Sequence, residues 1–477
     1  MPIAFPQKNN EFHIDRTLDY LGMYLLLLCS LGYFLNARRF AELHIQFSFL
    51  DFPIFIGEII LFFCFFLLTA KYYVSKPPWN HWHAILFLYI IFVVMKALIG
   101  YQKWGPLALR DAALMYYPLC ALLGYSFYRQ DFFDKKTILV GVGALSIIFQ
   151  FFWFYEYFLF TTTILAVLLI RAYPEKKVRW LLWLLLILVM PYEKFFKGSR
   201  TMLVGMVISI LFCLPVILYF AVWKLRYKVL TVLLVGLVVM VGIRRYFDRD
   251  KLRFFFDVDS LNQLLMIQQR ELDYRKQTFV PIEITNLRLY NPEGVMEPVK
   301  YKTMEYPDEF YKDFKNIFSS PSLDSAYGNI AFRLHIWRDM IDQFLQFKPF
   351  WGFDFGKPLR SPRIEMLGLA VSEWLRDGWI GAHNSFLYMI YKTGAIGGLF
   401  ILVLLGMITD LIRKSLKAKS VTGILLCAIL IFWIVVANFL LIFELPYNAI
   451  PFWTLLGMAL AYLQKSIVQN VPSLTPT

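Results

Sequence analysis

The sequence predicts an all-α polytopic membrane protein with about twelve transmembrane helices and one large, mainly helical extracytoplasmic loop. Two observations predict this fold class. Of the 477 residues, 59% are hydrophobic and 18% aromatic, more than a soluble globular chain carries. Apolar runs long enough to cross a bilayer recur along the chain, and a single long polar stretch, residues 244–382, interrupts them.

The apolar runs divide the chain into regions. Residues 1–243 hold nine runs, 244–382 form the loop, 383–464 hold three more runs, and 465–477 form a cytoplasmic tail. The first run has no small-residue cleavage site after it, so we expect a retained helix and not a cleaved signal peptide. The fifth to seventh runs are short or interrupted. The twelve runs are 18–36, 52–70, 83–100, 107–128, 136–152, 156–172, 178–192, 199–221, 226–243, 384–411, 420–442 and 446–464.

The basic residues predict the orientation of these helices. The net charge is +14, and with the N-terminus inside, the inner loops hold 16 Lys and Arg residues against five in the short outer loops. The positive-inside rule then places the 244–382 loop on the outer side of the membrane. That loop holds 20 basic and 20 acidic residues, so the excess positive charge lies on the inner rim. We therefore expect membrane lipids as partners and no nucleic acid.

Ionisable residues inside the apolar runs lie toward the outer leaflet, with none at mid-depth. Such residues are costly in a bilayer and are candidates for function. An ion-coupled transporter would carry charge near the midplane. The alternative is that these side chains reach the interface without a special role. The residues are Glu58, Lys96, Arg110, Asp111, Glu156, Glu193, Lys194, Lys197 and Arg200.

The sequence offers no metal or cofactor motif. All five cysteines lie in apolar segments and none in the loop, which excludes a disulfide framework there. No His, Asp or Glu grouping has metal-ligand spacing, and no phosphate-binding glycine loop or nucleophile elbow is present. We expect no cofactor and a metal-independent chemistry.

Three motifs carry candidate chemistry, each with a bland alternative. Ser199 is a suitable cap for the eighth helix, and Arg200 there offers a guanidinium fork to phosphate, or is an ordinary interfacial arginine. Arg333 and Trp337 share one face of a predicted amphipathic helix, and Arg338 points away from that face. The alternative is that this helix lies on the lipid headgroups without a further role. The Pro349–Gly356 turn ends this helix, because its glycines allow a tight turn.

The third motif is a histidine at the mouth of a hydrophobic segment. His383 and Asn384 immediately precede the apolar run 384–411, which contains Gly394, Gly397 and Gly398. An imidazole titrates near neutrality, so it can accept a proton from a hydroxyl at the membrane surface. The alternative is a helix-capping or interfacial histidine.

Together these residues resemble the O-antigen ligase and O-antigen polymerase superfamily of bacterial membranes. The elements occur in the family's order over residues 180–410, and the helix count and loop position extend the resemblance to the whole chain. They are Ser199-Arg200, Arg333 to Trp337, Pro349 to Gly352, His383 to Leu387, and Gly394 to Gly397.

The resemblance implies a GT-C-like glycosyltransferase. It would move a glycan from undecaprenyl pyrophosphate to a hydroxyl of a glycolipid or glycan acceptor, with inversion and without metal or nucleotide sugar. Arg200 and Arg333 match arginines that hold the pyrophosphate, and His383 matches a histidine that activates the acceptor. Further substrate contacts are expected from Arg338, Arg110, Lys96 and Asn384. A polar, Tyr-rich section at 270–320 departs from the family pattern and leaves the acceptor open.

Several functions remain as alternatives at this point. A ligase is slightly favoured over a polymerase that joins repeat units, since both share every motif. A lipid-linked oligosaccharide flippase or exporter would need mid-depth charges and no large outer domain. A structural or receptor-like protein would leave the outer-leaflet charges unexplained. The sequence does not give the oligomeric state.

Overall fold

The computed structural model describes residues 7–46, 53–75, 81–129, 135–151, 158–189, 200–220, 266, 327–347, 350–359, 361 and 381–470. Within these ranges the chain is mostly helical, which confirms the helical class. Its one ribbon is antiparallel and joins β1 (His44–Ile45) to β2 (Ile54–Phe55). The predicted ninth helix, 226–243, and the 270–320 section lie outside the described residues.

Fourteen helices make up the described part of the chain. In chain order they are α1 (Gln7–Glu42), α2 (Ile56–Ser75), α3 (His81–Trp104), α4 (Leu107–Tyr116), α5 (Leu119–Phe127), α6 (Lys135–Phe151), α7 (Phe158–Ala172), α8 (Lys176–Val189), α9 (Arg200–Phe220), α10 (Tyr327–Phe347), α11 (Ser385–Thr393), α12 (Ala395–Lys417), α13 (Val421–Ala437) and α14 (Pro446–Asn470).

Three of these helices are long and apolar enough to cross a membrane. They are α2, residues Ala84–Trp104 of α3, and α12. The bent pair α4 and α5 makes a fourth candidate if the two helices form one span. The described residues are therefore consistent with a membrane protein, with three or four candidate spans.

Two predicted continuous helices are broken in the structure. The predicted helix 107–128 is wrong because α4 and α5 meet at a bend of 45°. Pro118 at this point lacks the N–H that a continuous helix needs. The predicted helix 384–411 is also wrong, because α11 ends at Thr393 and α12 begins at Ala395. Gly394 between them has φ 64°, a conformation that favours glycine.

The chain divides into two compact units. The first comprises Met1–Gly236, Asp354–Gly356 and Gly398–Thr477, and the second comprises Leu237–Phe353 and Lys357–Gly397. In the first unit, α14 packs against α5, α1 and α13, while α9 packs against α13 and α6 to α8 contact one another. In the second unit, α10 packs against α11.

Two glycines let α5 and α14 approach closely. A Cβ on Gly457 would lie 1.9 Å from the carbonyl oxygen of Ala121, and one on Gly124 would lie 2.4 Å from that of Thr454. Both obstacles are backbone atoms, so they cannot rotate away. Small residues of this kind allow close helix contact in membrane proteins, where dispersion and not the hydrophobic effect holds helices together.

Candidate functional site

His383 and Arg333 come together in the second unit, where α10 packs against the start of α11. His383 has φ 51°, in the left-handed region that few residues other than glycine adopt. Its backbone is fixed from α10, because the indole Nε1 of Trp337 donates a hydrogen bond of 2.7 Å to the carbonyl of Ala382. The ring of Phe332 meets the imidazole edge to face, with centroids 6.4 Å apart.

The surroundings of His383 keep its imidazole neutral. Burial and, as the smaller cause, the nearby positive charge of Arg333 together lower the pKa of His383 to about 4. Both causes disfavour the imidazolium form. At neutral pH this side chain is therefore a proton acceptor beside a permanent cation. Such a pair can take a proton from a hydroxyl and stabilise a developing anion.

Asn384 caps the helix that follows the histidine. Its extended backbone starts α11, and its Oδ1 accepts a hydrogen bond of 2.9 Å from the N–H of Leu387. This is the usual N-cap arrangement. The alternative in which His383 is the helix cap is therefore wrong, and the capping bond uses only Oδ1 of Asn384, so its expected substrate contact stays a prediction.

Helix α10 has the amphipathic arrangement that its sequence predicts. Ile336 and Met340 are fully buried, and Arg333 and Trp337 are half-buried on the side shared by their spacing of four. Arg338 is exposed, in agreement with the prediction that it faces away from Arg333. Of the arginines on this helix, Arg333 therefore accompanies the histidine.

A glycine turn interlocks with the end of α11. The N–H of Phe353 donates to the carbonyl of Tyr391 at 2.9 Å, and the N–H of Ala395 donates to the carbonyl of Phe350 at 2.9 Å. Gly352 has φ 72°, and a Cβ there would lie 2.5 Å from the nitrogen of Gly394. Gly352 in the turn and Gly394 at the end of α11 therefore lie directly against each other.

Lys392 is a buried charged residue that no sequence motif indicated. This side chain is fully buried in α11 and donates a hydrogen bond of 2.6 Å to the carbonyl of Lys357. Its ammonium also lies 5.3 Å from the ring centre of Tyr388. The signal was present, because a lysine inside an apolar run is unusual. In the structure Lys392 precedes the candidate span, which begins at Ala395.

Two further polar contacts brace the second unit. The hydroxyl of Tyr391 on α11 donates to Oε1 of Gln343 on α10 at 2.9 Å. The buried hydroxyl of Ser361 donates to the buried carboxylate of Asp339, also on α10. Neither pair could be found from sequence, since partners 48 and 22 positions apart carry no shared pattern.

Lys96 and Arg110 belong to the first unit, together with residues Asp354–Gly356. Lys96 is buried, with its ammonium 5.6 Å from the ring centre of Phe355, while Arg110 is exposed. The carboxylate of Asp111 accepts a hydrogen bond of 2.8 Å from the N–H of Gly356. The segment 354–356 therefore lies against the ends of α3 and α4, which the sequence predicts to be outer.

Arg200 and Glu58, two other predicted charged residues, also belong to the first unit. Arg200 begins α9, as the sequence predicts, but its side chain and Ser199 lie outside the described residues. Glu58 accepts a hydrogen bond from the hydroxyl of Tyr116. Among the described residues, no group of three or more His, Cys, Asp or Glu side chains could hold a metal ion.

Comparisons with known proteins do not add to these observations. No protein-family model matches the chain, and no curated protein matches it in sequence. Any function must therefore be argued from the residues themselves.

Proposed function

We propose that the chain is a metal-independent glycosyltransferase that transfers a glycan from undecaprenyl pyrophosphate to an acceptor hydroxyl on the outer face of the bacterial cytoplasmic membrane. The proposed protein is an O-antigen or surface-polysaccharide ligase with about twelve spans and the 244–382 loop outside. The observation that carries the proposal is the neutral imidazole of His383 beside the guanidinium of Arg333.

The proposed reaction balances without a metal or a redox partner. His383 takes the proton of the acceptor hydroxyl, and the acceptor oxygen forms a bond to the anomeric carbon of the glycan. The bond between that carbon and the phosphate oxygen breaks, and undecaprenyl pyrophosphate leaves with the electron pair. Direct displacement inverts the anomeric centre. A positioned base of this kind contributes about 10²–10⁴-fold in rate.

The positive charge of Arg333 serves both partners of the reaction. A guanidinium offers two parallel N–H donors to a phosphate, and it stabilises the charge that grows on the leaving pyrophosphate. The same charge disfavours the imidazolium form of His383, so the imidazole is unprotonated at neutral pH. Arg200, at the start of α9, is proposed as the second arginine for the pyrophosphate.

Substitution of the two central residues tests the proposal. His383→Ala and Arg333→Ala should each abolish glycan transfer in a deletion strain complemented with the variant. Protein level and membrane insertion should stay at wild-type values. The matched controls are His44→Ala and Arg413→Ala, because both side chains are exposed. Transfer at the wild-type rate by either central variant would falsify the assignment.

The surface glycan of the deletion strain separates ligase from polymerase. A ligase joins finished polymer to its acceptor, so its loss leaves polymer on the carrier lipid and none on the acceptor. A polymerase joins repeat units, so its loss leaves single units on the acceptor. We expect the first pattern. Electrophoresis of extracted glycolipid alongside carrier-linked glycan distinguishes the two.

A further inference from the structure

A compact corner forms where α6, α7 and α8 meet. The three helices pack around one apolar core, and only three residues separate the end of α7 at Ala172 from the start of α8 at Lys176. Lys135 at the start of α6 is held to this corner by an ion pair of 3.3 Å with Glu175. The core residues are Ile138, Val142, Leu159, Ala166, Ile170, Tyr173, Leu182 and Leu186.

The described residues of this corner are strongly basic. Glu175 is their one acidic side chain, and its ion pair with Lys135 is largely exposed, so it offsets little of the positive charge. The N-termini of α6 and α8 both lie at this corner, and the positive end of a helix dipole favours an anion. The basic side chains are Lys135, Lys136, Arg171, Lys176, Lys177 and Arg179, all exposed except the half-buried Arg179.

An exposed apolar stripe runs down α8 directly from these charges. Leu181, Leu184 and Leu188 are 65%, 54% and 73% exposed, and their spacing places them in line with Lys177 on one helix face. Trp180 beside this stripe is 77% exposed, and an indole in this position is typical of the membrane–water interface. The α8 surface is thus cationic at one end and apolar below it.

We propose that this corner is a binding site for one anionic phospholipid. Its phosphate lies among Lys176, Lys177 and Arg171, and its acyl chains lie along Leu181 to Leu188. Basic clusters at helix ends attract anionic headgroups, and each nearby basic residue strengthens the binding. The inference is independent of the proposed glycan transfer, because none of these residues belongs to the site around His383.

A matched pair of variants distinguishes a specific lipid site from general attraction of anionic lipid to a positively charged protein. Arg171→Gln, Lys176→Gln and Lys177→Gln in one chain remove the three exposed charges proposed to hold the phosphate. Arg413→Gln, Lys417→Gln and Lys419→Gln remove three from the α12–α13 corner, which is also basic and exposed. Native mass spectrometry of the full chain from phosphatidylcholine nanodiscs containing dioleoylphosphatidylglycerol measures the bound anionic lipid. The first variant should bind it at least about tenfold more weakly, and the second should bind it as the wild type does.

The possible results are distinct. Equal weakening in both variants, or none in the first, overturns the site. Displacement of the lipid by glycerol phosphate alone, at the same concentration, overturns the role of the acyl stripe. If the triple variant loses its helical circular dichroism, the single variant Lys177→Gln at an exposed position replaces it. About fivefold weaker binding is expected for that variant, and unchanged binding overturns the proposal.

Discussion

The pKa of His383 can be measured without any assay of function. Diethyl pyrocarbonate modifies neutral imidazole, so its reaction rate with His383 follows the neutral fraction as the pH changes. With a pKa of about 4 the imidazole is about 97% neutral at pH 5.5, whereas an ordinary histidine with a pKa near 6.5 is about 9% neutral. The expected difference in relative rate at this pH is therefore about tenfold.

Peptide mass spectrometry of the purified chain gives this rate at each pH, with N-acetylhistidine in the same tube to correct for loss of reagent. Partial burial slows the reaction of His383 at every pH. It does not change the half-point, which is the pH at which the rate is half of its maximum. In Arg333→Met the half-point should move upward yet stay below 6.5, because burial is the larger cause and remains. A wild-type half-point near 6.5 would refute the lowered pKa of His383.

The same shift predicts how stability depends on pH. Between pH 6.5 and about pH 4, the unfolded chain binds a proton at His383 that the folded chain does not. The contribution of this residue to the free energy of unfolding therefore falls as the pH is lowered through that window, and is constant above it. His383→Asn should remove this contribution, which thermal unfolding in detergent at several pH values would measure. An identical pH profile for the variant would contradict it.

Three substitutions test the supporting structure. Trp337→Phe removes the N–H that fixes the backbone before His383, which should lower the free energy of unfolding by about 1–3 kcal/mol. The protein should still fold, but the rate of glycan transfer should fall about tenfold. An unchanged rate would contradict this role of Trp337. Gly394→Ala puts a Cβ 2.1 Å from a carbonyl oxygen at positive φ, and should cost at least about 1–3 kcal/mol in thermal unfolding. Gly457→Ala should also lower the unfolding temperature, whereas Gly406→Ala, with no atom within 4 Å of its Cβ, should not; equal effects would contradict the close helix contact.

The sequence predicted those elements whose signal is local. The amphipathic pattern predicted for α10 is confirmed at Ile336 and Met340, which are buried, and at Arg338, which is exposed. Pro118 also carried a local signal, because a proline inside an apolar run predicts a bend. The prediction of one continuous helix over 107–128 did not include this bend at Pro118.

Other features depend on partners distant in the chain. The helix breaks at Gly394, where φ is 64°, and only glycine fits there because the carbonyl of Phe350 lies where a side chain would be. Periodicity cannot show this contact. The same holds for the hydrogen bond from Trp337 to Ala382, whose partners are 45 positions apart in the chain. The motifs nominated His383 and Arg333, but only the fold shows the burial that keeps the imidazole neutral.

The contact between α5 and α14 has a consequence for the order of assembly. Tyr125 and Gln464, which are hydrogen-bonded across this pair, are 339 positions apart. During synthesis the side of α5 that carries Gly124 is therefore made long before its partner helix α14. Long-range contacts of this kind form late and leave early segments open to wrong partners. Packing of the first unit is thus tied to α14, and a chain stopped before Pro446 should be cleared by membrane proteases.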